Sequence, residues 1–345
     1  MKKLLLLITF YFALNLSFTT KIKAAELSIG VYPPVLQIQA TPPAAIKANI
    51  TLQNLNENPQ DLKFSLNPFT AKDDNGQIAF IPQESLGDLD QLLTEKVQIR
   101  LDQSKLKEKD KATPIESGPL DSIHLDPYES KDITLNINID KNDPLGDYYF
   151  SIIFMAEKEN ETIQNKSFVK NPAGIGNLVL LSVGQKGTTK GNIETFKTPL
   201  FLNEGPVPFT LLLNNTSGHL IQPTGTIHIT NIFGKTVGKI DVLPSYILSN
   251  SSRYLTDINQ ASPSASTLAY LEKHKPEHKI LIWNEKFLMG FYTAKLKLSL
   301  SGQGPQFTTT THFFALPTSF LIGLAFVLII VINIYLKVYR KTRKE

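Results

Sequence analysis

Apolar and polar positions alternate with a period of two along much of the chain between residues 26 and 316. Ile133, Leu135, Ile137 and Ile139 fall on one side of an extended segment, and Thr134, Asn136 and Asn138 fall on the other. Ile50 with Leu52, Ile227 with Ile229, and Leu296 with Leu298 and Leu300 repeat the arrangement. Successive side chains of a strand point to opposite faces, so these runs predict half-buried antiparallel strands. Turn-forming residues separate them: Asp74-Asn75-Gly76, Asp143-Pro144, Phe233-Gly234-Lys235 and Ser301-Gly302. Many short strands between turns predict an all-β body of immunoglobulin-like sandwiches. Two stretches break the rhythm. Residues 86–112 read as an insertion with a short helix and a strand at 97–101, and residues 260–277 as a loop or short helix.

The order of elements occurs twice. Strand, Asn-rich turn, strand, polar linker and a Gly-x-Tyr entry into a last strand pair run through residues 48–154 and again through residues 208–296. In immunoglobulin-like sandwiches a tyrosine near the start of a late strand fixes a corner by bonding to backbone. Tyr148 and Tyr292 suit that role, and equally suit that of ordinary amphipathic strand residues. Residues 184–191, rich in Gly and Lys and without a large apolar side chain, suit a flexible hinge. This predicts two tandem domains, 26–187 and 188–316.

Both ends abandon the alternation. Lys2 and Lys3 precede a continuous apolar run over residues 4–16, the pattern of a secretory signal peptide over residues 1–25. Cleavage would follow Ala24 or Ala25; an uncleaved N-terminal anchor is the other reading. At the far end Thr318–Leu336 carries no charge, and Asn333 is its only strongly polar side chain. As a helix this stretch measures about 28 Å, close to the thickness of the bilayer hydrocarbon. Lys337, Arg340, Lys341, Arg343 and Lys344 follow it. A transmembrane helix over 317–337 and a basic cytoplasmic tail over 338–345 are predicted, with the bulk of the chain extracytoplasmic. That is a single-pass protein of the cell membrane.

Composition narrows the chemistry. The chain has 20 Phe and 11 Tyr but no Cys. Disulfides, thiolate metal sites and cysteine nucleophiles are thereby excluded. An exported chain of this size without disulfides points to a bacterial surface. The sequons at Asn49, Asn165 and Asn250 then carry little meaning. The net charge of +4 comes from the ends; without residues 1–25 and 337–345 the body holds 26 basic and 30 acidic residues. Nucleic acid is therefore not an expected partner.

The sequence contains no Gly-x-Ser-x-Gly elbow, His-Glu-x-x-His, P-loop or Gly-x-Gly-x-x-Gly. Gly174-Ile175-Gly176 lacks a third glycine and reads as a turn. His274 and His278 have helical i, i+4 spacing with Glu277 between, but Pro276 argues against a regular helix there, and exposed loop residues are the favoured account. Asp73-Asp74-Asn75-Gly76 resembles the opening of a calcium loop without its closing glutamate, counted from a sixth-place Gly76. A plain turn is the simpler reading. Asp88 with Asp90, and Glu157 with Glu159, read as solvated surface. No catalytic, cofactor-binding or metal-ligating residue is assigned, and no cofactor is expected. Residues 147–150 and 287–292 offer aromatics for contact with sugar rings or a protein partner.

The order of elements resembles the WxL-interacting proteins of Gram-positive surfaces. The residues that carry the resemblance are 35–66 with their Asn-rich turn, 125–130 leading to Gly146-Asp147-Tyr148, and 205–209. Residues 219–225, Asn231-Ile232-Phe233-Gly234, Met289-Gly290-Phe291-Tyr292 and the end helix complete it. The resemblance implies a non-enzymatic surface protein whose first domain binds peptidoglycan and whose second binds a host or surface partner. A chaperone or assembly factor that captures a partner strand at a sheet edge is the alternative. An enzyme of unusual architecture is the third class considered.

Overall fold

The computed structural model describes residues 28–82, 85, 95–101, 122–156, 174–185, 187–302 and 304–342. Before residue 184 the strands are β1 (Ile29–Tyr32), β2 (Val35–Ala40), β3 (Ala44–Asn54), β4 (Gln60–Ala71), β5 (Ile78–Phe80), β6 (Val97–Leu101), β7 (Ser122–Leu125), β8 (Ser130–Ile139), β9 (Gly146–Ala156) and β10 (Gly174–Val183). One sheet runs β1-β3-β8-β6, and the other runs β2-β10-β9-β4, with β5 and β7 on the free side of β4.

The second half holds β11 (Gly191–Lys197), β12 (Phe201–Leu202), β13 (Val207–Asn215), β14 (Thr224–Asn231), β15 (Thr236–Asp241), β16 (Ser251–Tyr254), β17 (Leu281–Trp283), β18 (Gly290–Ser299) and β19 (Gln306–Ala315). The helices are α1 (Ala265–His274) and α2 (Thr318–Thr342). Here β13 joins β11, β16 and β17, and faces a sheet ordered β12-β19-β18-β14-β15. Among the described residues the fold is all-β apart from these helices and a short 3-10 helix at Ile258–Ala261, with immunoglobulin-like sandwiches.

The duplication read from the sequence is present in the pairing. Each half opens with a strand divided between its two sheets. β1 runs antiparallel to β3 while β2 runs parallel to β10. Likewise β11 runs antiparallel to β13 while β12 runs parallel to β19. Each half ends in a long antiparallel pair, β9 with β10 and β18 with β19.

Alternation produces two separate cores. Ile133, Leu135 and Ile137 are wholly buried in the first, with Ile50 and Leu52 beside them. Ile227, Ile229, Leu296 and Leu300 are wholly buried in the second. Each such side chain contributes about 1.5–3 kcal/mol relative to exposure. Both tyrosines close their corners. The Tyr148 hydroxyl donates to the Pro144 carbonyl at 2.7 Å, and the Tyr292 hydroxyl donates to the Met289 carbonyl at 3.3 Å.

The Asn-rich turns are a second duplicated device. Asn54 and Asn215 end β3 and β13 and are both fully buried. The Asn54 side-chain amide donates to the carbonyls of Asn58 at 2.8 Å and Asp126 at 3.0 Å, and its oxygen accepts the Asn56 N–H. The Asn215 amide donates to the carbonyls of His219, Ile247 and Leu248 at 2.9, 3.2 and 2.8 Å, and its oxygen accepts the Ser217 N–H at 2.9 Å. In each half one asparagine ties the turn to a distant segment crossing over it.

Gly174 and Gly176 do not form a turn; they begin β10 and pair with Met155 and Ile153. A Cβ at Gly176 would lie 2.9 Å from the Ser151 hydroxyl, so close strand approach accounts for that glycine. The strand expected at 97–101 is β6, paired with β8, while residues 86–94 and 102–112 lie outside those described. The 260–277 stretch contains α1, capped by the Ser264 hydroxyl on the Thr267 N–H and ended by Lys275 in the left-handed conformation just before Pro276. Residues on both sides of the 184–191 segment hold its ends: Gly184 N–H bonds the Ala40 carbonyl at 2.7 Å, and Lys190 N–H bonds the Ser217 hydroxyl at 2.7 Å.

Candidate partner-binding cleft between the sandwiches

A buried face outside either core positions the site. Most strands alternate, but Leu178-Val179-Leu180-Leu181 is apolar at every position. Val179 and Leu181 enter the first core. Leu178 and Leu180 point the other way, toward a third apolar cluster with Phe69, Tyr149 and Leu220. Leu220 belongs to the second half, as do Tyr246 and Leu248 packed against the same cluster. Strands buried on both faces lose their alternation, and that was the available sequence signal for this contact.

Polar bonds fix the joint. One Asp147 carboxylate oxygen accepts the Leu220 N–H at 2.5 Å and the Tyr149 hydroxyl at 2.7 Å. The Tyr149 oxygen in turn accepts the Ser249 N–H at 3.2 Å. Burial foremost, with Asp147 adding to it, pushes the Tyr149 hydroxyl well above the ordinary phenol range, so it stays a neutral donor. Tyr246 donates to the Gln37 side chain at 3.2 Å.

The Asp73-Asp74-Asn75-Gly76 turn is the other contact. Asp73 accepts the N–H groups of Asn75 and Gln77 at 3.0 Å each, which shapes the turn. The Asp74 carbonyl then accepts the Tyr254 N–H at 2.7 Å, and the Asn75 side chain accepts the Lys279 N–H at 3.1 Å. Gly76 has φ +79°, and a Cβ there would lie 2.5 Å from the Arg253 guanidinium. The turn thereby docks one sandwich on the other.

Between these contacts lies a cavity of about 240 Å³, lined by Val35, Phe69, Ile78, Leu178, Tyr246 and Arg253 among others. Arg253 donates to the Tyr246 carbonyl at 2.7 Å. Burial lowers its pKa, with Asp73 opposing the shift. Lys279 is also lowered, by burial first and then by Arg253. The cleft is thus an apolar slot beside partly desolvated positive charge. Such a slot fits an apolar side chain next to an acidic group.

Other residues singled out in the sequence lie elsewhere. Tyr148, Tyr149 and Phe150 are 9%, 9% and 0% exposed, so the 147–150 aromatics are interior groups and not a surface for sugars. Phe287, Met289 and Phe291 do stand out in solvent. His274 stacks on Tyr270 and bonds its carbonyl, while His278 stacks on Tyr254. No group of three or more possible metal ligands occurs among the described residues. Glu157 and Glu159, and Asp88 and Asp90, lie outside those residues.

Thr318–Leu336 forms a continuous helix with none of its length buried, long and apolar enough to cross a membrane. No protein-family profile matches the sequence, and no curated protein matches it. Among solved structures the chain is similar to the class 5 fimbriae chaperone CfaA, at 12% identity and TM-score 0.37, over 83% of this chain and 99% of that one. It is similar to the Escherichia coli chaperone DraB at 12% identity and TM-score 0.32, over 82% and 96%. A chain of the Salmonella enterica SafA pilin–SafB chaperone complex matches at 9% identity and TM-score 0.33, over 84% and 98%. Likeness at this level carries nothing about function, and the fold rests on the strand pairing above.

Proposed function

We propose that this chain is a non-enzymatic, single-pass membrane protein of the bacterial surface, of the WxL-interacting type, with its sandwiches outside the cell and its basic tail in the cytoplasm. Its two sandwiches act together, and the cleft between them takes a segment of another surface protein. The observation that carries this reading is the slot of about 240 Å³ with Arg253 in its wall. An extended segment presenting an apolar side chain and an acidic group would fill it. Binding of peptidoglycan by the first sandwich is the second part of the resemblance, and strand capture at a sheet edge is the rival mode.

A photo-crosslinker placed at Ser245, on the cleft wall, tests the reading in intact cells. The expected result is one dominant protein adduct that disappears in the Arg253→Glu chain and does not form from Thr310 on the open sheet face. Retention on purified peptidoglycan with no cleft adduct would transfer the function to wall polymer. An adduct formed equally from both positions would remove the cleft from the account.

A further inference from the structure

One end of the second sandwich collects large apolar side chains exposed to solvent. The register brings Asn231 opposite Tyr292, Gly290 opposite Ala315, and Leu202 beside Ala315. The β14–β15 turn, the approach to β18, the end of β19 and β12 therefore share one end of the sheet. At that end Phe233 is 89% exposed, Ile232 68%, Phe287 61%, Phe291 59%, Phe201 54% and Met289 51%. Phe291 and Phe201 flank Phe314, with ring centroids 4.7 and 5.9 Å from it. Soluble surfaces rarely gather so many large apolar groups without a partner.

The apolar helix leaves from this same end. β19 stops at Ala315, and the Leu316 N–H is still bonded to the Leu202 carbonyl at 2.9 Å. Pro317 is buried and α2 begins at Thr318. The three Cα steps from Ala315 to Thr318 reach at most about 11 Å, against a lipid headgroup layer roughly 5–8 Å deep. With the helix in a bilayer, which rests on the reading above, so short a tether keeps this end within a few ångströms of the headgroups. Exposed Lys235 and Lys286 are balanced there by exposed Glu204 and Glu285, so apolar contact and not charge would drive the association.

We infer that the end of the second sandwich bearing Phe201, Ile232, Phe233, Phe287, Met289 and Phe291 is a membrane-docking rim that embeds in the lipid headgroup region beside the anchor helix. The occupant of the patch is the bilayer surface itself. Phenylalanine and aliphatic side chains form the inserted face of elements that lie at that depth. The rim would fix the body upright on the membrane through several contacts around the single helix.

The cysteine-free chain allows a direct test. Full-length Phe233→Cys, Phe287→Cys and, as control, Thr308→Cys proteins are labelled with an environment-sensitive fluorophore and reconstituted in phosphatidylcholine vesicles. Labels at 233 and 287 are expected to shift to the blue and lose more than half their emission to a lipid-borne nitroxide. The label at 308, at the opposite end of the sheet, should be quenched by iodide instead. Adding phosphatidylglycerol or salt should change neither pattern. Labels at 233 and 287 that behave like 308 in protein that floats with the vesicles would overturn the rim and leave the anchor intact. Protein that does not float at all would overturn the anchor and the rim together.

Discussion

Replacing Asn215 by alanine isolates the device that ties the second sandwich together. Its amide has two hydrogens for three carbonyl acceptors, so one bond is shared. Truncation strips those carbonyls of their donor and the Ser217 N–H of its acceptor, all at a fully buried position. With about 1 kcal/mol net per bond, and more for groups left dry, the loss comes to about 3–4 kcal/mol. For a sandwich of this size that is a fall in melting temperature of about 10 °C. The Asn215→Asp chain keeps the acceptor but turns a carboxylate toward the carbonyls. Burial against those oxygens raises the aspartate pKa in the folded state above its unfolded value of about 3.9. Below that value both states are protonated and the charge penalty is absent; it grows as pH rises toward the folded pKa. The aspartate chain should therefore lie nearer the parent at about pH 4 than at about pH 7. Circular dichroism melts of both variants at the two pH values measure this. An alanine chain within about 1 kcal/mol of the parent would refute the reasoning.

Tyr148→Phe removes the corner bond to Pro144 while keeping the ring, and should lower stability by about 1 kcal/mol in denaturant titration. Tyr149→Phe removes a bond at the joint to each of Asp147 and Ser249; limited proteolysis of residues 184–191 should quicken while both cores keep their melting behaviour. The His124 pKa is raised chiefly by its hydrogen bond to Asp61, so its small contribution is full below about pH 6.5 and fades as pH climbs through the higher folded value. In proton NMR the Asp61→Asn chain should bring that titration back toward the ordinary histidine range. Gly76→Val should loosen the docking turn, because the positive φ and the Arg253 guanidinium both oppose a side chain there, and a lowered first unfolding midpoint measures it.

What the sequence disclosed follows from the physics of one-sided burial. Ile133 to Ile139 and Leu296 to Leu300 alternate because one face is wet, and both lie where the pattern puts them. Gly-x-Tyr located both corners because the tyrosine must reach a carbonyl a few residues back. The divided opening strands escaped notice, since β1, β2 and β12 are too short to show a period. The cleft escaped for another reason. Leu178 and Leu180 break the alternation, but a continuous apolar run does not say what covers its second face, and the contact with Leu220, forty residues on, does. The exposure of Phe233 could not be read either, because a turn tip and a buried turn share the same residues.

The two-residue passage from Ala315 to Thr318 has a consequence for reach. β13 rises from the rim end to Asn215 at the joint, and its nine residues span about 30 Å. On the proposed reading, a sandwich seated on lipid would act as a spacer of set height, with little slack below it. Whatever enters the slot beside Arg253 would meet this protein at one distance from the membrane, and a ligand confined closer to the lipid would pass underneath.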